Sequence, residues 1–156
     1  EASGAARYGL ESRSSAQAER FAVFLTMTSR AEKLWPEERW VELGRALSRP
    51  VVLPWGSEAE KARAQSISRQ LEGSSVPEHL DFGELGRLFL DAAEVVGLDT
   101  GLTHLAAALG ARTVGIYCAS DPSLNGLYAS ANAANAGGPR RSPLAGEVLD
   151  CLQALK

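Results

Sequence analysis

The stretch of this sequence best suited to chemistry is Asp99-Thr100-Gly101. It follows the almost wholly apolar run Glu94 to Leu98 (EVVGL) and precedes Leu102, Leu105, Ala106 and Leu109, which recur at helical spacing. A strand that ends in an acid, a hydroxyl and a glycine just before a helix makes an anion site. The first helical N–H groups lack partners there, and the helix dipole favours negative charge. Gly101 lets a phosphate approach the backbone closely. Three more segments also follow apolar runs. Thr26 to Lys33 offers the Thr28 and Ser29 hydroxyls with Arg30 and Lys33, Trp55 to Glu60 offers Glu58 and Glu60, and Cys118 to Ser123 completes the set. A lysine beside a helix N-terminus suits a diphosphate, and a carboxylate such as Glu60 suits paired ribose hydroxyls. Neither GxGxxG nor GxxxxGK[ST] occurs, so the usual dinucleotide fingerprint and the P-loop do not apply.

Each residue also has a plainer reading. Asp99 or Thr100 after a strand serves as an ordinary helix N-cap. His104, one turn into the helix, serves as a partly buried structural histidine. Lys33 is by default a solvated lysine, Trp35 and Trp40 read as core anchors, and Cys118 reads as a small core residue. No Ser-His-Asp arrangement or metal-ligand spacing emerges, since His79 and His104 lie too far apart to pair on one helix. From the residues alone, the reading is an α/β domain that binds an anionic, nucleotide-type ligand.

The elements that must position these groups alternate along the chain. Phe21 to Leu25 (FAVFL), Val51 to Leu53, Glu94 to Leu98 and Thr113 to Tyr117 (TVGIY) are short apolar runs, as in parallel strands covered on both faces. Between them lie helical stripes: Trp40, Leu43 and Leu47 after Pro36-Glu37-Glu38; Ala64, Ile67 and Leu71, closed by Gly73; and Leu85, Leu88 and Phe89. A short extended segment is expected at Leu80. Strands and helices alternating in this way predict a Rossmann-like parallel sheet with helices on both faces. In such sheets ligands bind beyond the carboxyl ends of the strands, where all four segments above lie. Residues 1–20, rich in Ala, Ser, Gly and charge, read as a linker or poorly ordered arm preceding a lobe over 21–156. Residues 129–143 (ASANAANAGGPRRSP from Ala129) read as a flexible loop, and Gly146 to Leu155 as a closing helix.

Composition narrows the classes further. The chain has 156 residues, 45% apolar and 22% charged, enough for one core-forming domain. Its net charge of −3 and lack of a basic block exclude a nucleic-acid binder that works by phosphate neutralisation. No apolar run approaches the roughly 20 residues that span a bilayer. Cys118 and Cys151 lack CxxC or zinc spacing, so neither a disulfide scaffold nor a structural zinc site is expected. The chain starts at Glu1 without a signal-peptide pattern and reads as a piece of a longer or processed protein from a reducing cytosol.

VGLDTGLTHLAAALGARTVGIYCASDPSLNGLY resembles the nucleotide-sugar-binding lobe of glycosyltransferase family 9, the ADP-heptose lipopolysaccharide heptosyltransferases. TSRAEKLWPEERWVELG resembles the family's loop and helix after the first strand of that lobe, and LPWGSEAE the next turn. The DTG form and the TSRxxKxWP loop are closer to heptosyltransferase I than to heptosyltransferase II.

The resemblance implies one lobe of a two-lobed GT-B enzyme. The carboxy-terminal lobe would hold ADP-heptose, and the amino-terminal lobe the Kdo–lipid A acceptor and the catalytic carboxylate. By position, Thr28, Ser29 and Lys33 would meet the diphosphate and Glu60 the ribose. Thr100 and Gly101 would meet phosphates through backbone N–H groups. Asp99 would hold heptose hydroxyls, with His104 near the sugar–phosphate junction; Met27 and Leu80 to Phe82 would flank adenine. The family is roughly twice this length, and nothing here resembles its amino-terminal lobe, so no catalytic base is expected in this chain. The implied reaction is direct displacement with inversion. Lys33 and the helix N-terminus would stabilise the departing ADP, with no cofactor or metal called for. The enzyme would be cytoplasmic, in peripheral contact with the inner membrane. The alternatives are a non-catalytic nucleotide-binding module and a related GT-B transferase using another nucleotide sugar.

Overall fold

The computed structural model describes residues 20–28, 30, 33–118, 132–138 and 141–155. Among these residues, six strands form one parallel sheet: β1 (Ala22–Leu25), β2 (Val51–Val52), β3 (Ser74–Ser75), β4 (Glu94–Leu98), β5 (Thr113–Tyr117) and β6 (Ala133–Gly137). Their spatial order is β3-β2-β1-β4-β5-β6, so the sheet reverses direction between β1 and β4. That is the Rossmann order, and its ligand crevice lies beyond the carboxyl ends of the strands at the reversal. The helices are α1 (Glu37–Leu47), α2 (Glu58–Ser68), α3 (Phe82–Asp91), α4 (Gly101–Ala108) and α5 (Ala145–Ala154).

Strand alternation builds two cores. Ala22, Phe24, Val96, Leu98, Val114 and Ile116 face Trp40 and Leu43 of α1, Ala64 and Ile67 of α2, and Val148 and Leu152 of α5. Phe21, Val23, Leu25 and Val95 face Leu85, Leu88 and Phe89 of α3 and Ala106 of α4. With layers on both faces, β1, β4 and β5 are buried along their whole length, which explains why they read as continuous apolar runs. Trp35 and Trp40 are fully buried and meet edge to face at 4.9 Å, the core role read for them. Trp35 Nε1 donates to Pro143 O at 2.8 Å and ties the chain before α1 to the chain before α5.

Two expectations need correction. The extended segment falls at Ser74–Ser75, paired with β2, and not at Leu80, which lies in the approach to α3. Within the stretch read as a flexible loop, Ala133–Gly137 is β6, in register with β5 from Thr113 opposite Ala133 to Tyr117 opposite Gly137. Its small side chains give no apolar run, yet Ala133 and Ala136 are buried and Asn132 donates from Nδ2 to Ala107 O and Ala111 O. Of the rest of that stretch, 129–131 and 139–140 lie outside the described residues, as do residues 1–19 of the expected linker.

Candidate functional site

A cleft of about 890 Å³ opens at the carboxyl ends of β1, β2 and β4. Thr28, Lys33, Glu60, Asp99, Thr100 and Gly101 all line it, drawn together from three separate segments of the chain. Met27, Leu80 and Phe82 line it as well. His104 does not line the cleft, but its Nε2 lies 3.6 Å from Oδ1 of Asp99, which does; with 43% of its side chain exposed, it is not the partly buried core histidine of the plainer reading. Ser29 lies outside the described residues. Glu58 is exposed on the first turn of α2 and does not line the cleft. Cys118 is half-buried and does not line the cleft; its Sγ lies 3.5 Å from Ser142 Oγ, and burial pushes its thiol up.

The N-terminus of α4 has the form an anion site needs. Thr100 is the N-cap, but its side chain accepts no hydrogen bond from the first-turn amides. Its Oγ1 instead lies 3.3 Å from Oγ1 of Thr103, which is buried and donates to Leu98 O at 2.6 Å. By contrast, Ser57 and Asp81 both accept from the third amide of their helices, at 3.3 and 2.8 Å. The α4 amides thus begin at the cleft without the usual side-chain acceptor. Gly97 makes the arrangement possible: a Cβ there would lie 2.2 Å from Thr103 Oγ1. A Cβ on Gly101 would meet nothing within 4 Å, so internal packing does not explain that glycine.

Charge is arranged across the sheet reversal. Lys33 Nζ donates to Asp99 Oδ2 at 3.0 Å, with the two side chains 19% and 9% exposed. Glu60 Oε1 accepts from the Gly56 amide at 2.7 Å. Three features escaped the sequence reading. Trp55 lines the cleft with its Nε1 fixed to Pro77 O at 2.8 Å, His79 meets its ring edge-on at 5.3 Å, and Arg63 of α2 reaches the backbone of the loop after β1. A lone aromatic in a Pro-Trp-Gly turn carries no spacing signal, and Arg63 reads as one more helical surface charge. Only tertiary structure aims them.

The sequence model of glycosyltransferase family 9 (heptosyltransferase) matches residues 5–144. The chain belongs to this family. The family match starts inside the stretch read as a linker and runs through all six strands. Among curated family members, lipopolysaccharide heptosyltransferase 1 of Salmonella typhimurium is 38% identical over 111 residues, 69% of this chain and 35% of that protein. The solved structure of E. coli heptosyltransferase WaaC with ADP matches at a TM-score of 0.77 and 34% identity, over 86% of this chain and 43% of that one. The same E. coli enzyme with ADP-2-deoxy-2-fluoro heptose matches at 0.73 and 29% identity, over 86% and 42%. The chain therefore spans about a third of the curated relative and under half of the solved chains. Among the described residues, no helix is long and apolar enough to cross a membrane.

Proposed function

We propose that this chain is the donor-binding lobe of a heptosyltransferase that moves heptose from ADP-heptose to the Kdo–lipid A inner core of lipopolysaccharide. The observation that carries the reading is the convergence of Lys33, Glu60, Asp99 and the uncapped start of α4 on one cleft. It is supported by family membership and by the names of two matched structures of one enzyme, one with ADP and one with ADP-2-deoxy-2-fluoro heptose. Lys33 and the α4 amides would bind the diphosphate, and Glu60 the ribose hydroxyls. Asp99 and His104 would bind the heptose beside the bond that breaks, while Met27 and Leu80 to Phe82 would flank adenine. As the anomeric carbon–oxygen bond breaks with inversion, charge grows on the departing ADP. Fixed dipoles and an ammonium group stabilise that charge without having to reorganise. The base that takes the proton from the Kdo hydroxyl must lie within hydrogen-bond reach of it. Glu60 and Asp99 are engaged with the donor, so the base would come from the part of the relatives that this chain does not match. The reaction would take place at the cytoplasmic face of the inner membrane.

Calorimetry with ADP, UDP and GDP tests the donor assignment: ADP binds best, and equal or absent binding of all three removes it. A transfer assay with ADP-heptose and Kdo₂-lipid A then tests the division of labour. The chain shows no turnover by itself and gains it when fused to the amino-terminal half of a family member. Transfer by the chain alone would point to Asp99 or Glu60 as the base.

A further inference from the structure

The loop that follows β1 carries Thr28 and Lys33, and a single side chain from another helix holds it at both ends. Arg63, on α2, donates from Nε to Thr26 O at 3.1 Å, where the loop begins, and from Nη2 to Trp35 O, where it ends. Its Nη1 lies 3.7 Å from Oε2 of Glu37, the first residue of α1. Ser66, one turn further along α2, donates to Oε1 of the same carboxylate at 2.7 Å. Thr26 and Trp35 are themselves buried, so the guanidinium satisfies carbonyls that water reaches poorly. Arg63 is only 16% exposed. A planar fork of five donors can hold two carbonyls and a carboxylate at once, which a lysine ammonium on a flexible stem cannot.

We propose that Arg63 is the positioning residue of the phosphate loop: by fixing Thr26 O and Trp35 O it sets where Thr28 and Lys33 stand relative to Asp99 and the start of α4. Arg63 lies one turn after Glu60 on α2, so one helix presents a carboxylate to the cleft and also anchors the loop after β1. The consequence for ligands rests on the donor-site reading above. Without Arg63, a diphosphate loses a well-placed lysine and the Thr28 hydroxyl, whereas a monophosphate, which depends less on the loop, loses less. A residue that merely stabilised the fold would weaken both ligands alike.

The test uses Arg63→Met, which keeps the stem without the fork, and Arg63→Lys, which keeps the charge without the span. Hydrogen exchange without nucleotide is followed over residues 26–35 and over β4 and β5, and calorimetry measures ADP and AMP. In both variants exchange of 26–35 rises while β4 and β5 keep their protection. ADP affinity falls about tenfold while AMP affinity falls by no more than about threefold, the scale expected when binding groups are misplaced but not removed. Unchanged exchange over 26–35, or an equal loss for ADP and AMP, overturns the proposal. So does full recovery by Arg63→Lys. If the unmodified chain binds neither nucleotide, the donor-site reading falls separately, and the exchange measurement still decides whether Arg63 holds the loop.

Discussion

Lys33 and Asp99 are 66 positions apart in the chain and 3.0 Å apart in space, joined across the point where the sheet reverses. The register explains the meeting. Leu25 pairs with Gly97, so the loop after β1 and the turn after β4 leave the sheet side by side. The pair holds the lysine at the rim before any ligand arrives, and less side-chain entropy remains to be lost on binding.

Lys33→Ala is therefore expected to weaken ADP by about 1.5–3 kcal/mol, the scale of one charge-assisted contact, and AMP by clearly less. Calorimetry on the variant with both nucleotides checks this. Equal losses would place Lys33 away from the diphosphate.

Glu60 departs from an ordinary helix cap in a way that a ligand series can read. Ser57-x-x-Glu60 has the capping-box spacing, in which the acid should accept from the amide of the N-cap. Glu84 and Glu147 do so, from Asp81 and Leu144 at 3.1 and 3.3 Å. Glu60 instead reaches one residue further back, to Gly56, and its carboxylate lines the cleft. Wild type is expected to prefer ADP over 2′-deoxy-ADP, and Glu60→Gln to lose most of that preference, about 1.5 kcal/mol or more for a hydrogen bond to a charged group. A preference that survives the substitution would assign the ribose to another residue.

At the amino end of β4, away from the cleft, Glu94 is 2% exposed between Arg49, at 3.5 Å, and Arg112, at 3.8 Å. Burial raises its carboxyl above the ordinary value of 4.5, and Arg49, Arg112 and Arg20 only partly oppose that shift. A raised folded-state value means that the folded chain binds the proton more tightly than the unfolded chain. That contribution to stability is full in acid and is lost as pH rises through the carboxylate range. Denaturation of wild type and Glu94→Gln between pH 4 and 7 should show the advantage of wild type shrinking as pH rises. An advantage that grows with pH would mean that the arginines outweigh burial.

Gly137 tests the strand that the sequence disguised. It ends β6 at φ 85°, and a Cβ there would lie 2.1 Å from Tyr117 O, a backbone atom that cannot swing aside. Gly137→Ala should cost about 1–3 kcal/mol in thermal or chemical denaturation, from strain and overpacking together. A neutral result would return this segment to a loop.

What the sequence revealed and what it hid follow from the same physics. β1, β4 and β5 are legible because burial on both faces demands continuous apolar residues, and α1 because Trp40 and Leu43 repeat with its turns. β6 is hidden because Ala, Asn and Gly form a strand here only through their partners, with β5 on one side and α5 packed above. In the site, Thr28, Lys33, Glu60, Asp99 and Gly101 are legible because strand ends in an open parallel sheet converge. The roles of Arg63 and Gly97 depend on which backbone atoms lie opposite them, and residue type alone does not encode that.

β4 carries Glu94 at its foot and Asp99 immediately beyond its head, each engaged with cations from other elements. Five backbone steps separate the two carboxylates, about 16 Å of extended chain. The strand is thus a gauge of fixed length between two anchorages. Deleting or inserting one residue would carry one end off its partner by about 3.3 Å and exchange the faces of Val95 and Val96 between the two cores. Descendants of this sequence can trade β4 side chains of similar volume, but they must change length in the connecting loops.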